Sequence, residues 1–224
     1  VNEENIKLMK LAGFRVLSIG VESTSQFVLD SLNKKQTEQQ IWDATQTIIN
    51  AGIKPYFTVI MWSPFCRIED VIKDLHGFRK LGKLGCGLSI EPYLIPLKGT
   101  KFSEMGLEER KREVRIEGTN ETIYKGFAWL PLEKEARQVF NRFEVIYAKY
   151  KKYRFDTEKE IKHKEKNYQS HILLDAVELT LREANYLQDG EIKEYSKVMN
   201  ILNNMKELDV DIVGDFIERD AFNL

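Results

Sequence analysis

The sequence has few of the residues that bind metals or form disulfides. Its 224 residues include 2 cysteines and 3 histidines. Neither Cys66 and Cys86 nor the scattered histidines have the spacing of a C-x-x-C or H-E-x-x-H metal site. The chain therefore cannot build an iron–sulfur cluster from its own cysteines. We expect both to be buried or half-buried free thiols, because disulfides are rare in a reducing compartment.

Long apolar runs and an excess of one charge are also missing. No run approaches the roughly 20 residues that a membrane-spanning helix needs, and no charged leader with a cleavage site opens the sequence. The 34 basic and 35 acidic side chains give a formal net charge of −1. Because no overall basic field favours nucleic acid or an anionic surface, we expect a cytosolic protein with neither a membrane nor a nucleic-acid partner.

The sequence does contain an alternation of short apolar strands and amphipathic helices. Strand, helix, strand, helix, strand in this rhythm predicts parallel pairing with right-handed crossovers. Three such strands suit a partial barrel rather than a full one. The predicted elements are helix 2–11, strand 15–21, helix 27–32, helix 37–51 with a Thr37/Gln40 capping box, strand 54–61, helix 68–81 and strand 88–96.

The pattern changes after Gly99. Residues 106–131 are predicted to form a loop or hairpin, with a short strand at 122–127. Helices are predicted at 132–153, 171–187, 194–208 and in the tail 210–224. We therefore predict an α/β fold in three parts: a partial barrel over 1–105, the hairpin excursion over 106–131, and a helical extension over 132–224.

A carboxylate at the end of the first strand is the most informative functional candidate. Glu22 follows this buried strand, and Lys34 lies on the next element. Ligands collect at the carboxyl ends of strands in α/β sheets and barrels, and a carboxylate can accept two hydrogen bonds from a ribose diol. From spacing alone, the alternative is a solvated or helix-capping Glu22 and an exposed Lys34 at a helix end.

These residues belong to a longer pattern that resembles the radical S-adenosylmethionine enzymes. In the cobalamin-binding and coproporphyrinogen-dehydrogenase-like branches, a GxES or GxQS strand end precedes a helix with an Asn-Lys pair. The matching positions cover about the first half of the chain: Gly20-Val21-Glu22-Ser23, Val28-Leu29, Asn33-Lys34, Thr37, Ala51-Gly52-Ile53, Phe57 to Met61, Pro64 and Pro96-Leu97-Lys98-Gly99-Thr100.

The resemblance implies the C-terminal part of a (β/α)6 partial barrel that binds S-adenosylmethionine. Such an enzyme cleaves the cofactor reductively to a 5′-deoxyadenosyl radical, which acts on a substrate that the sequence does not identify. The resemblance places the CxxxCxxC loop of a [4Fe–4S] cluster upstream of Val1. We therefore expect a fragment that is inactive alone and needs the missing segment or a partner subunit. The cobalamin branch would add cobalamin as a further cofactor.

The resemblance also implies roles for individual residues. Glu22 matches the position that contacts the ribose of S-adenosylmethionine, and Lys34 matches the one that meets its carboxylate, with Lys35 as the alternative after a small register shift. Ser23 either hydrogen-bonds the same ligand or caps the helix that begins near Gln26.

Two further positions of the pattern lie on the second and third strands. Thr58 matches a polar strand residue that helps to bind the cofactor, and Leu94 matches a backbone contact to its adenine. Without the resemblance, both would be interpreted as core or strand positions. A backbone contact tolerates a change of side chain, so a leucine at 94 is compatible with this role.

The chain departs from the family pattern after its second strand. Trp62 occupies the position of a glycine and Cys66 that of a glutamate. The tight backbone approach that glycine permits is lost there. Trp62 either packs under the loop, which we favour, or lines the substrate side of the pocket.

Two alternative functions stay open. The first is a non-catalytic α/β module, which Trp62 and Cys66 favour: either a degenerate relative that has lost its cluster or a subunit that completes a partner's barrel. An open edge at 14–21 would suit pairing with a partner. A radical enzyme acting on RNA is the other alternative. The aromatic and basic run 140–154 could present rings and cations to RNA, but such a run more often forms a core-facing stripe with a solvated flank.

Overall fold

The computed structural model describes residues 2–94, 100–105, 109–115, 122–157 and 168–205. It contains a three-stranded parallel sheet in the order β1-β2-β3 and a separate two-stranded antiparallel sheet. The elements are, in chain order, α1 Glu3–Leu11, β1 Val16–Glu22, α2 Gln26–Ser31, α3 Glu38–Asn50, β2 Lys54–Trp62, α4 Ile68–Lys83, β3 Gly87–Tyr93, a 3₁₀ turn Lys101–Glu104, β4 Glu109–Arg115, β5 Thr122–Trp129, α5 Lys134–Thr157, α6 Tyr168–Glu183 and α7 Tyr195–Asn204.

Local signals explain where the first helices begin and end. The Asn2 side chain accepts hydrogen bonds from two backbone N–H groups at the start of α1. Gly13 follows this helix with a φ of +95°, a conformation that glycine adopts without steric cost. Thr37 and Gln40 form the predicted reciprocal capping box at the start of α3.

The strand register aligns small and polar residues of three strands in one row. Gly20 of β1 lies beside Thr58 of β2, and Thr58 lies beside Ser89 of β3. Because side chains in a strand alternate between the two faces, the neighbours Phe57 and Leu88 point to the opposite face and are buried. The sheet therefore has an apolar face and a face that is polar along its middle.

Helix α4 covers the apolar face. Its residues Val71, Leu75 and Phe78 are fully buried and belong to the same core as the sheet. The 3.6-residue spacing of these residues predicts this packing. On the other face, Ser18 and Gly20 are exposed while Thr58 and Ser89 are half-buried.

Helix α6 packs against β3 and α4, α5 packs against α6, and α7 packs against α5. The Ser170 hydroxyl at the start of α6 donates to the Leu88 carbonyl of β3 at 2.8 Å. Arg79 of α4 binds Asp175 of α6 at 3.0 Å and also binds Glu178. One hydrophobic core runs from the sheet into these helices.

The predicted α/β fold with three parallel strands and a helical extension is confirmed. Of the two predictions for residues 106–131, the hairpin is confirmed, since β4 pairs with β5 from Glu109 opposite Trp129 to Arg115 opposite Thr122. The predicted tail helix 210–224 and the end of the third strand beyond Leu94 lie outside the described residues. The three-part division of the chain stays a prediction.

None of the described helices combines the length and apolar character that a membrane crossing requires.

Candidate functional site

Glu22 ends β1 in an unusual backbone conformation. Its φ is +70°, in the left-handed region that residues other than glycine rarely adopt. The β1–β2 register shifts between Gly20 and Glu22, so a bulge turns the end of the strand. Strained residues of this kind persist where surrounding structure fixes them, and they cluster at functional sites.

Lys34 lies directly against this carboxylate. Its Nζ atom is 2.7 Å from Glu22 Oε1, and the side chains of Lys34 and Glu22 are 34% and 22% exposed. The backbone N–H of Lys34 donates to Leu29 O, and Asn33 before it has a φ of +53°, so the end of α2 turns Lys34 back towards β1. Lys35, the alternative from the sequence, is exposed.

Gly20 lies between these groups. A Cβ atom added to Gly20 would lie 2.9 Å from Glu22 Oε1, 3.7 Å from Thr58 Oγ1 and 3.8 Å from Lys34 Nζ. Three of the predicted site residues therefore converge on the small space above one glycine. Any side chain at position 20 would enter that space.

The Lys34 ammonium and the Glu22 carboxylate can make more hydrogen bonds than the one that joins them. A lysine ammonium has three donors and a carboxylate accepts about four hydrogen bonds. Lys34 donates to Glu22 and, at 3.5 Å, to the Gly20 carbonyl. The pair can thus contact each other and a polar ligand at once, with Lys34 on an anionic group and Glu22 on hydroxyl groups.

Ser23 does not point into this space. It is fully buried, and its hydroxyl donates to Asp74 Oδ2 of α4 at 2.6 Å while accepting from the Ser25 N–H. Sequence reasoning missed Asp74 and its neighbour Asp70, both on α4. The signal for them was two carboxylates four residues apart beside the apolar face that holds Val71 and Leu75.

Leu94 lies at the same end of the sheet but on the far side from Glu22. It follows β3, two strand spacings from β1, which is about 10 Å across the sheet. Its carbonyl accepts a hydrogen bond from the Trp129 N–H at 3.2 Å. A carbonyl oxygen has a second lone pair, so this bond leaves the predicted backbone contact available.

Trp62 is a core residue that packs against α5; the favoured interpretation also buried it, but under the loop after β2. It is fully buried, with ring centroids 5.6 Å from Phe140 and 5.4 Å from Phe143. Within the part of the chain that the structure describes, its Nε1 has no hydrogen-bond partner. Phe140, Phe143, Tyr147 and Tyr150 of α5 are buried as a core-facing stripe.

Both cysteines are buried thiols outside any disulfide, which confirms the expectation. Burial raises the pKa of Cys66, and the nearby Asp74 and Asp70 carboxylates raise it further. Burial also raises the pKa of Cys86. Among the described residues, no group of three or more His, Cys, Asp or Glu side chains could hold a metal ion.

No protein-family model and no curated protein sequence matches the chain. Among the solved structures that match it are two of the cobalamin-dependent S-adenosylmethionine radical enzyme OxsB, one with aqua-cobalamin bound and one of the apo, selenomethionine-labelled form. Their TM-scores are 0.52 and 0.53, with 14% sequence identity in each case. The matches cover 98% of this chain but 39% of the OxsB chains.

At this identity the likeness shows the fold alone. The chain has the α/β, partial-barrel fold of a part of a radical S-adenosylmethionine enzyme, which confirms the fold class predicted from the sequence. The roles predicted for Glu22, Ser23, Lys34, Thr58 and Leu94 stay predictions.

Proposed function

We propose that this chain is part of a radical S-adenosylmethionine enzyme and holds the nucleoside and amino-acid parts of that cofactor. Glu22 would accept hydrogen bonds from the ribose hydroxyls and Lys34 would bind the carboxylate. Thr58 would add a hydroxyl contact, and the backbone at Leu94 would face the adenine. The observation that carries the proposal is the convergence of Glu22, Lys34 and Thr58 on the space above Gly20.

The chemistry of the donor set fits S-adenosylmethionine. This ligand carries a diol, a carboxylate and a purine, which need acceptors, a cation and backbone groups respectively. A carboxylate and a lysine 2.7 Å apart at the end of one strand supply the first two. The half-buried pair lies in a less polar environment than bulk water, where interactions with charged groups are stronger.

The iron–sulfur cluster does not fit the described part of the chain. Both cysteines are buried, and the described residues include no metal-binding group. The cluster of the proposed enzyme would therefore be held elsewhere, by a segment beyond this chain or by a partner subunit. Bound S-adenosylmethionine would supply the radical chemistry, while this chain would position its ribose and carboxylate.

The proposal also includes cobalamin as a second cofactor of the complete enzyme. OxsB is a cobalamin-dependent enzyme, and this chain matches 39% of its length. We infer that, if cobalamin is used here, the residues that bind it belong to the remainder of the complete enzyme. The substrate, whether a small molecule or a macromolecule, stays undetermined.

A non-catalytic module that completes a partner's sheet is the second candidate. On its outer side, β1 has no strand partner among the described residues. Phe14 and Val16, at the start of β1, are exposed, and so are Leu8 and Leu11 of the preceding helix. An unpaired edge with adjacent apolar side chains suits strand addition by another chain or segment. This candidate would explain the edge without any cofactor binding.

The experiment that separates the two candidates is ligand binding by isothermal titration calorimetry. We would titrate the purified protein with S-adenosylmethionine and with 5′-methylthioadenosine, which has the same nucleoside but no carboxylate. Glu22→Gln should weaken both ligands. Lys34→Met should weaken S-adenosylmethionine by about tenfold or more, since a hydrogen bond to a charged group contributes about 1.5–3 kcal/mol, and should leave 5′-methylthioadenosine unchanged.

The matched control is a more exposed ion pair on the same half of the chain. Lys73 Nζ lies 2.5 Å from Glu38 Oε2, and these side chains are 44% and 35% exposed. Lys73→Met should leave both affinities unchanged. Wild-type affinities retained in both Glu22→Gln and Lys34→Met would show that the site assignment is wrong. Absence of binding by the wild-type protein would favour the non-catalytic module.

A further inference from the structure

The turn that follows Glu22 is completely buried. Ser23, Thr24 and Ser25 are at most 2% exposed, although they are polar residues between a strand and a helix. Loops normally lie on the surface, because buried backbone groups need partners. The partners of this turn come from α4, about 50 residues further along the chain.

Asp74 of α4 holds all three residues of the turn. Its Oδ2 accepts from the Ser23 hydroxyl at 2.6 Å, and its Oδ1 accepts from the Thr24 N–H at 2.5 Å, the Thr24 hydroxyl at 2.7 Å and the Ser25 N–H at 3.2 Å. Asp70, one helical turn earlier, accepts from the Ser25 hydroxyl at 2.6 Å. The turn is thus bound to the helix through both carboxylates.

Gly77 lets the turn lie directly on the helix. A Cβ atom added at this position would lie 2.2 Å from Thr24 Oγ1 and 2.8 Å from Thr24 Cβ. Real Cβ atoms do not approach other heavy atoms so closely, so any other residue at 77 would displace the turn. Steric fit and hydrogen bonding therefore fix the same three residues.

Burying the Asp74 carboxylate among the turn residues lowers the stability of the folded protein at neutral pH. Burial raises the pKa of the Asp74 carboxyl to about 6, although the hydrogen bonds from the turn lower it. Within the described structure, no cation forms an ion pair with this carboxylate. A buried group that ionises at neutral pH without a counter-charge costs free energy, and groups retained in this way are often functional.

We propose that Asp74 is a positioning residue for the Glu22–Lys34 pair. The proposal rests on the proposed function of that pair. Ser23 is bonded directly to Glu22, so fixing Ser23 fixes the left-handed backbone that aims the Glu22 carboxylate. Ser25 is the N-cap residue of α2, so fixing it sets the direction of the short helix whose end carries Lys34.

The test uses two variants of α4 and a matched control for each. Asp74→Asn removes the charge while keeping the size of the side chain, and Gly77→Ala displaces the turn without touching the carboxylate. Asp175→Asn changes a half-buried carboxylate of α6 that contacts Arg79 and Tyr150 but not the turn. Gly82→Ala adds a Cβ to α4 where the nearest atom, Leu88 Cδ1, is at 3.8 Å.

Two measurements would be made on each protein. We expect Asp74→Asn and Gly77→Ala to bind S-adenosylmethionine about tenfold more weakly than wild type, while both controls bind within about twofold. We expect hydrogen–deuterium exchange in Asp74→Asn to be faster at the Thr24 and Ser25 amides and also at the Lys34 amide, which donates to Leu29 O. A purely structural role in the turn would leave exchange at Lys34 unchanged.

The two measurements separate the inference from the proposed function. If wild type binds and the α4 variants bind equally well, or if faster exchange stops at Ser25, the positioning role of Asp74 is refuted. If wild type does not bind S-adenosylmethionine, the proposed function fails. The exchange at Lys34 then decides the positioning role alone: faster exchange in Asp74→Asn supports it and unchanged exchange overturns it.

Discussion

Helix α4 borders two buried carboxylate clusters that are stabilised in different ways. On the side of the candidate site, Asp74 accepts hydrogen bonds from hydroxyl and backbone N–H groups of the turn. On the side of the helical extension, Arg79 binds Glu178 and Asp175 of α6. One cluster therefore contains a buried carboxylate with neutral donors, and the other contains guanidinium–carboxylate pairs.

The most buried carboxyls of the two clusters, Asp74 and Glu178, have pKa values shifted in opposite directions, while burial raises the pKa of the less buried Asp175. Burial raises the pKa of Asp74 to about 6. Burial acts in the same direction on Glu178, but hydrogen bonds from the Ile192 and Glu191 N–H groups and from Arg79 outweigh it and lower the pKa of that carboxyl. The comparison indicates that the α6 cluster stabilises the fold, whereas the Asp74 cluster fixes a geometry at some expense of stability.

The largest effect should come from breaking the guanidinium cluster. Arg79→Met leaves Glu178, whose side chain is completely buried, without its main cation. Removing one partner of a buried ion pair costs about 3–5 kcal/mol, and we expect the lower end because Arg182 and two backbone N–H groups still bind Glu178. Urea unfolding would measure the loss. A loss below about 1 kcal/mol, the range of surface pairs, would contradict this account of the cluster.

The Asp74 carboxyl should make the free energy of unfolding depend on pH. The folded pKa of about 6 lies above the value of about 3.9 in an unfolded chain, so the stabilising contribution is complete below about pH 4 and is lost as pH rises through 6. The free energy of unfolding of wild type should therefore fall by up to about 3 kcal/mol relative to Asp74→Asn between pH 4 and 7. Urea unfolding at several pH values measures the difference. If the difference in the free energy of unfolding between wild type and Asp74→Asn did not change with pH, the raised pKa of Asp74 would be refuted.

The smallest effect should come from an exposed ion pair beside the α6 cluster. Lys83 of α4 lies 2.6 Å from Glu191, but these side chains are 68% and 50% exposed. Lys83→Met should change the free energy of unfolding by less than about 1 kcal/mol, because water screens exposed pairs. The same urea measurement applies, with Arg79→Met as the comparison. Equal losses in the two variants would show that burial is not what distinguishes them.

Local sequence signals predicted most of the elements but only part of the site. The GxES strand end and the following lysine identified Glu22 and Lys34, which the structure brings to 2.7 Å. Thr58 was identified by resemblance, and the register beside Gly20 explains its proximity. Ser23 was predicted as a ligand or a cap, whereas its hydroxyl binds Asp74. No local rule pairs a serine with an aspartate 51 residues away.

The sequence by itself determined the order and type of most elements, the capping box of α3, and the core-facing stripe of α5. These features depend on neighbours within a few turns of helix or a few residues of strand, and that information is local. Only the tertiary structure decided that Asp74 and Gly77 dock the turn after Glu22, and that Gly20 lies under the Glu22–Lys34 pair. Those contacts depend on how parallel strands and crossover helices are arranged in space, which brings together residues far apart in the chain.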